Sequence, residues 1–177
     1  MIIDVDIFKK IDSYFEDFDK QLRKERGALY WDTNKGIYGT ANCKNVFEFF
    51  KKINLQDADS FLDLGSGDGR VVMVASLFTT ALGVESDPEL IEMSNRVKNE
   101  LNINCNFGNS DFTEMDLSKY NVIFINPDQS FSKEFETKLK NELSGKLYIH
   151  NESFQPSILN KGQKFWQNQI PIVEYTN

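Results

Sequence analysis

Phe61-Leu62-Asp63-Leu64-Gly65-Ser66-Gly67-Asp68-Gly69-Arg70 reads as an apolar strand running into a glycine-rich turn, and the apolar run of residues 71–78 continues behind it as a helix. Glycine in such a turn permits positive φ and lets a ligand approach the backbone closely. The helix start behind the turn offers free N–H groups to an anion such as a carboxylate. The glycine spacing is G-x-G-x-G, whereas the dinucleotide fingerprint is G-x-G-x-x-G. Asp63, two residues before Gly65, sharpens the distinction. Its charge repels a pyrophosphate and attracts an ammonium group.

From residue 59 onward strands and helices alternate. Short apolar strands are expected at 60–64, 81–85, 104–107, 122–125 and 146–149. Helices are expected at 71–78, at 90–101 with Asp87 as N-cap and Pro88 at the first helical position, and at about 132–143 with Gly145 as the stop. This alternation, with wholly apolar strands, predicts an α/β fold with a parallel sheet covered by helices on both faces. The tail, residues 165–175, reads as a terminal strand pair broken by Pro171. Upstream, Ile3, Ile7, Ile11, Phe15, Phe18 and Leu22 have helical spacing, with basic residues at the end and Gly27 as the stop, so an N-terminal helix laid against the core is expected. Residues 30–40, rich in turn formers and aromatics, read as a loop, and Val46, Phe49, Phe50 and Ile53 mark a second helix.

Three further stretches follow the first at strand ends. Glu85, with Ser86 beside it, lies twenty positions after Gly65, where an acidic side chain can accept hydrogen bonds from both hydroxyls of a ribose. In Gly108-Asn109-Ser110-Asp111-Phe112, Asp111 is a candidate acceptor for an adenine amino group and Phe112 a candidate packing surface for the ring. In Asn126-Pro127-Asp128, Asn126 ends an apolar strand, at the edge where open α/β sheets bind ligands, and Asp128 is the nearest additional carboxylate.

Composition removes several alternatives. The 177 residues suit one domain, and 40% hydrophobic against 27% charged residues is an ordinary globular balance. No apolar run approaches the ~20 residues of a membrane helix. Asp4 and Asp6 interrupt the start, which therefore does not read as a secretory signal. Two cysteines and one histidine supply neither a disulfide framework nor a zinc site, so a reduced, cytoplasmic protein is expected. A net charge of −7 favours a cationic substrate over a nucleic acid.

Together these four stretches resemble the class I S-adenosylmethionine-dependent methyltransferases. The resemblance implies a doubly wound, mostly parallel seven-stranded sheet in a three-layer α/β/α arrangement, with residues 1–30 as an N-terminal helical extension and 36–177 as a Rossmann-like core, one domain in all. It implies that Asp63 and the loop residues Gly65, Ser66, Gly67, Asp68 and Gly69 hold the methionine part of S-adenosyl-L-methionine, that Glu85 takes the ribose and Asp111 the adenine, and that Asn126 borders the methyl group. Tyr38-Gly39-Thr40 and Tyr148-Ile149-His150-Asn151 look like the compact archaeal-type protein lysine methyltransferases related to Dot1. That likeness implies a protein amine as substrate, and Asn126 and Asp128, at the strand end and able to orient an amine, are the catalytic candidates. Methyltransferases acting on adenine or glutamine are similar at Asn126-Pro127, but they continue with a second proline and an aromatic residue where this chain has Asp128 and Gln129. A nucleic-acid amino group is therefore the second choice. A non-catalytic S-adenosylmethionine-binding module is the reading from another class. No large insertion follows the fourth or fifth strand, which leaves room for a partner subunit in substrate recognition.

Overall fold

The computed structural model describes residues 3–33 and 36–177. Helix α1 (Val5–Arg26) starts where Asp4 accepts the backbone N–H groups of Asp6 and Ile7, and stops at Gly27, whose φ of 72° turns the chain left-handed. Strands β1 (Tyr30–Thr33) and β2 (Gly36–Gly39) pair as an antiparallel hairpin, correcting the expectation of a plain loop at 30–40. Trp31 faces Tyr38 across the pair, with ring centroids 4.0 Å apart, and this aromatic pairing outweighs the turn formers of the segment. Helix α2 (Cys43–Lys52) follows, capped by Asn42.

The core then alternates β3 (Ser60–Leu64), α3 (Arg70–Ala75), β4 (Thr80–Glu85), α4 (Pro88–Leu101), β5 (Asn106–Asn109), β6 (Val122–Ile125), α5 (Lys133–Glu142) and β7 (Lys146–His150). It ends with the hairpin β8 (Asn160–Gln167) and β9 (Ile170–Thr176). The seven core strands lie in the order β5-β4-β3-β6-β7-β9-β8, and only β9 runs against both neighbours. The strand expected at 104–107 sits two residues later. Pro171 does not break the tail pair: it lies in β9 beyond the stretch paired to β7, and the irregularity falls between Lys161 and Lys164 of β8. Gly145 does not close α5, which is capped at Leu143. A Cβ at Gly145 would lie 2.0 Å from the Asn121 carbonyl oxygen, and that contact explains the glycine.

Each strand of the sheet's middle sends alternate residues to opposite faces. Phe61, Phe124 and Tyr148 pack under α1, α2 and α3, and Leu62, Ile123 and Ile149 pack against Phe135 and Leu139 of α5. This is the doubly wound, three-layer architecture. Strand order reverses at β3: β4 and β5 are added on one side of it and β6 and β7 on the other, all parallel, and ligands in open α/β sheets bind at such a switch point, beyond the carboxyl ends of the strands.

Candidate active site

The carboxyl ends of β3, β4 and β6 open into a cleft of about 310 Å³. Asp63, Gly65, Ser66, Gly67, Asp68, Glu85, Ser86, Phe112, Asn126 and Asp128 all line it, whereas Gly69 and Asp111 do not. Gly69 begins α3 at a φ of 81°, and a Cβ there would meet the Phe107 ring at 2.5 Å. Its smallness serves the packing of α3 on the sheet. Asp111 turns its Oδ1 to the backbone N–H and hydroxyl of Thr113, and this short turn holds Phe112 and Thr113 against the cleft.

Asp63 lies at the cleft floor, 3% exposed, and among the described residues no hydrogen bond or ion pair satisfies its carboxylate. Burial raises its pKa well above the usual carboxylate range, and the charges of Glu85 and Asp68 push it further the same way. The hydroxyl oxygen of Ser66 is buried beside the same cleft without a partner among the described residues. A buried carboxyl among like charges is held neutral by a proton or balanced by a cation.

Glu85 is fixed by three backbone donors: Gly67 N–H to Oε2 at 3.0 Å, and Ser86 and Asp87 N–H to Oε1 at 2.7 and 2.9 Å. Its remaining acceptor capacity faces the cleft in a set orientation. The apolar wall opposite is Phe112, Phe131 and Phe135, with Phe112 and Phe135 ring centroids 4.9 Å apart and Phe131 stacked on Phe135 at 5.7 Å. The Phe135 contribution comes from α5, and no motif in the sequence points to it.

Asp68 also lines the cleft, yet its carboxylate is committed. It accepts from the Tyr38 hydroxyl at 2.6 Å and from Arg70 Nε at 2.9 Å. Arg70 reaches on to Asp19 of α1 at 2.8 and 3.0 Å and to the Ala41 carbonyl at 2.9 Å, with its guanidinium 4.5 Å from the Phe15 ring centre. Burial disfavours the Arg70 charge, but the Asp68 and Asp19 carboxylates more than offset this and raise its pKa. This network ties the N-terminal helix to the glycine loop. Tyr38 and the hairpin around it thereby become a wall of the cleft that the site motifs alone had not included, although Tyr38-Gly39-Thr40 had marked the segment.

Asn126 follows β6, and its Oδ1 accepts from Asn151 Nδ2 at 2.8 Å. Asp128 accepts the Ile37 backbone N–H at 2.8 Å and so holds the hairpin across the cleft mouth. A Cβ at Gly36 would press on that carboxylate, and the φ of 147° there favours glycine. His150, at the end of β7, does not line the cleft. Its Nδ1 is buried without a partner among the described residues, and burial lowers its pKa to about 4. It stays neutral and satisfies no backbone group through that nitrogen.

Among the described residues no helix is long and apolar enough to cross a membrane. The sequence profile described as "Histone methylation protein DOT1" matches residues 21–150. No curated protein sequence matches the chain. Similar solved structures include an RNA methyltransferase from Salinibacter ruber in complex with S-adenosyl-L-homocysteine, at 21% identity and a TM-score of 0.60 over 78% of this chain and 93% of that one. A tRNA (uracil-54, C5)-methyltransferase from Pyrococcus abyssi, also with S-adenosyl-L-homocysteine, aligns at 14% identity and a TM-score of 0.61 over 85% of this chain and 44% of that one. The mitomycin 7-O-methyltransferase MmcR aligns at 12% identity and a TM-score of 0.62, covering 76% and 53%. At these identities the three share the fold, and their substrates differ. The family match spans most of the chain, including the hairpin, the glycine loop and the strand ends around the cleft: this chain belongs to the DOT1 histone methylation family and is a class I S-adenosylmethionine-dependent methyltransferase.

Proposed function

We propose that this enzyme methylates a lysine side chain of a protein, with the cofactor held in the cleft described above. The single observation that carries the substrate class is the match to the DOT1 histone methylation family over residues 21–150. The acidic surplus of the chain, net charge −7, agrees with a basic partner.

The residues present fit the cofactor. Asp63, unpaired and buried, suits the methionine ammonium, and the orphaned Ser66 hydroxyl suits a polar group of the same moiety. Glu85, oriented by three N–H groups, suits the ribose hydroxyls, and the wall of Phe112, Phe131 and Phe135 suits adenine. When bound, S-adenosylmethionine supplies an electrophilic methyl group on a sulfonium, open to in-line displacement by a neutral nucleophile. A lysine amine must therefore lose its proton before attack. Phe124 and Phe131 line the cleft, and apolar surroundings that strip water from the amine lower its pKa. Asn126 orients the incoming group at the end of β6. Asp128 serves the closure of the hairpin more directly than the chemistry, because its carboxylate is engaged by Ile37.

The test is transfer of labelled methyl groups from S-adenosylmethionine into a cell lysate, followed by protease or nuclease digestion. Label released by protease and recovered as methyl-lysine is the expected result. Label released by nuclease would overturn the substrate class and leave the methyltransferase activity standing.

A further inference from the structure

We infer that Asn151 is a positioning residue of the active site, which sets the end of the Asn126 amide that faces the cleft. The inference rests on the reading of Asn126 as the group that orients the methyl acceptor.

An amide side chain presents an oxygen at one end and an NH2 at the other, and the two look alike in shape. Here a backbone group removes the ambiguity. The Ser153 N–H can only donate, and it donates to Asn151 Oδ1 at 2.8 Å. The Asn151 NH2 is thus forced to the other side, where it donates to Asn126 Oδ1 at 2.8 Å. Asn126 must turn its oxygen toward Asn151. Its own NH2 bonds no other described residue and is left for the cleft that Asn126 lines. Asn126 therefore offers a donor at the end of β6, with one further lone pair on an oxygen already engaged.

The backbone of Asn151 is held just as firmly. It sits at a φ of 76°, a left-handed conformation that asparagine tolerates better than most residues. Its N–H donates to the Pro171 carbonyl at 2.8 Å, and its carbonyl accepts from Gln155 Nε2 at 3.1 Å. Gln155 is held in turn by the Tyr175 hydroxyl. A left-handed residue beside the active site, bonded at both backbone groups and both ends of its side chain, is over-determined in the way that strained functional positions are.

Asn151→Asp is the informative change. The carboxylate still accepts from Ser153 but can no longer donate, so Asn126 must rotate its NH2 toward residue 151 and show its oxygen to the cleft. Asn151→Gly is the second variant, because glycine adopts this φ freely and simply deletes the amide. Side-chain amide NMR of the full chain, with Asn126→Ala and Asn151→Gly used for assignment, reads the orientation without any substrate. In the wild type the Asn151 NH2 should be protected from exchange and the Asn126 NH2 unprotected, and in Asn151→Asp the Asn126 NH2 should become protected. An Asn126 NH2 already protected in the wild type, or one that stays unprotected in Asn151→Asp, overturns the inference. Methyl transfer into lysate completes the test. Asn151→Asp should lower kcat at least ~10-fold with little change in KM for S-adenosylmethionine, and should add nothing in an Asn126→Ala background. A further loss in that background would mean that Asn151 acts through something other than Asn126, against the inference. If Asn126→Ala alone leaves kcat unchanged while the NMR inversion is seen, the role of Asn126 falls and the positioning by Asn151 stands.

Discussion

Asp63 and Asp68 stand five residues apart around one glycine turn, and each is 3% exposed. Asp68 is surrounded by donors: the Tyr38 hydroxyl and the Arg70 guanidinium, itself braced by Asp19. Asp63 has no donor among the described residues and faces two other carboxylates. Both have been taken out of water, so both have met the same kind of desolvation cost. In one case the fold returns the interaction energy itself, and the carboxylate is part of the scaffold. In the other the fold returns nothing, and on the proposed reading of the cleft the return comes from the ammonium group of the cofactor.

The largest test of that contrast is Asp68→Asn. Removing one partner of a buried ion pair should destabilise the free protein by about 3–5 kcal/mol, read as a fall in the urea midpoint. Unchanged stability would erase the distinction between the two residues.

His150 offers a third way of burying a titratable group, by keeping it neutral. Its folded pKa of about 4 lies below the ordinary 6.5, so the unfolded chain takes up the proton first as pH falls. The stability of the neutral ring is fully present above about pH 6.5 and is lost progressively down to about pH 4, a change of about 3 kcal/mol by linkage. Urea unfolding of wild type and His150→Gln across that range should show a steeper acid loss in the wild type. Parallel curves would refute the assignment.

Asp63→Asn should act in two opposite directions. Loss of a charge-assisted contact should weaken S-adenosylhomocysteine binding by roughly 1.5–3 kcal/mol, on the order of 10–100-fold, measured by calorimetry. The free protein should meanwhile gain on the order of 1 kcal/mol, raising Tm by about 2–4 °C. The sign follows from the raised pKa: stability is fully present at low pH, where Asp63 is protonated, and is lost as pH rises through the folded pKa. For the same reason wild-type affinity for the ligand should climb as pH rises through that pKa, and the variant should lack this rise. A variant less stable than the wild type would show that Asp63 is scaffold after all.

The smallest effect is expected at Asp128, an exposed carboxylate with one backbone donor. Asp128→Ala should cost about 1 kcal/mol in holding the hairpin and speed hydrogen exchange at the Ile37 amide a few-fold. Loss of all methyl transfer with exchange unchanged would restore Asp128 to the chemistry.

Much of the core was legible in the sequence because its signals are local. Strand alternation, Asp87 with Pro88 at the start of α4 and Gly27 at the end of α1 all act within a few residues, and the structure follows them. The strand-end residues Asp63, Glu85, Phe112 and Asn126 were likewise legible, because a repeated strand–helix unit brings every strand end to one edge of the sheet. The family likeness at Tyr38-Gly39-Thr40 marked the hairpin segment but did not say what it touches. The partners that sort these residues into roles span long stretches of chain: Tyr38 to Asp68, Asp19 to Arg70, Ile37 to Asp128, Asn126 to Asn151. Two aspartates in one turn look alike in sequence. Arg70 lies only two residues from Asp68, but the Tyr38 that joins the pair and the Asp19 that braces it arrive where α1 and the hairpin pack, and that is decided by sheet order and shape rather than by any period along the chain.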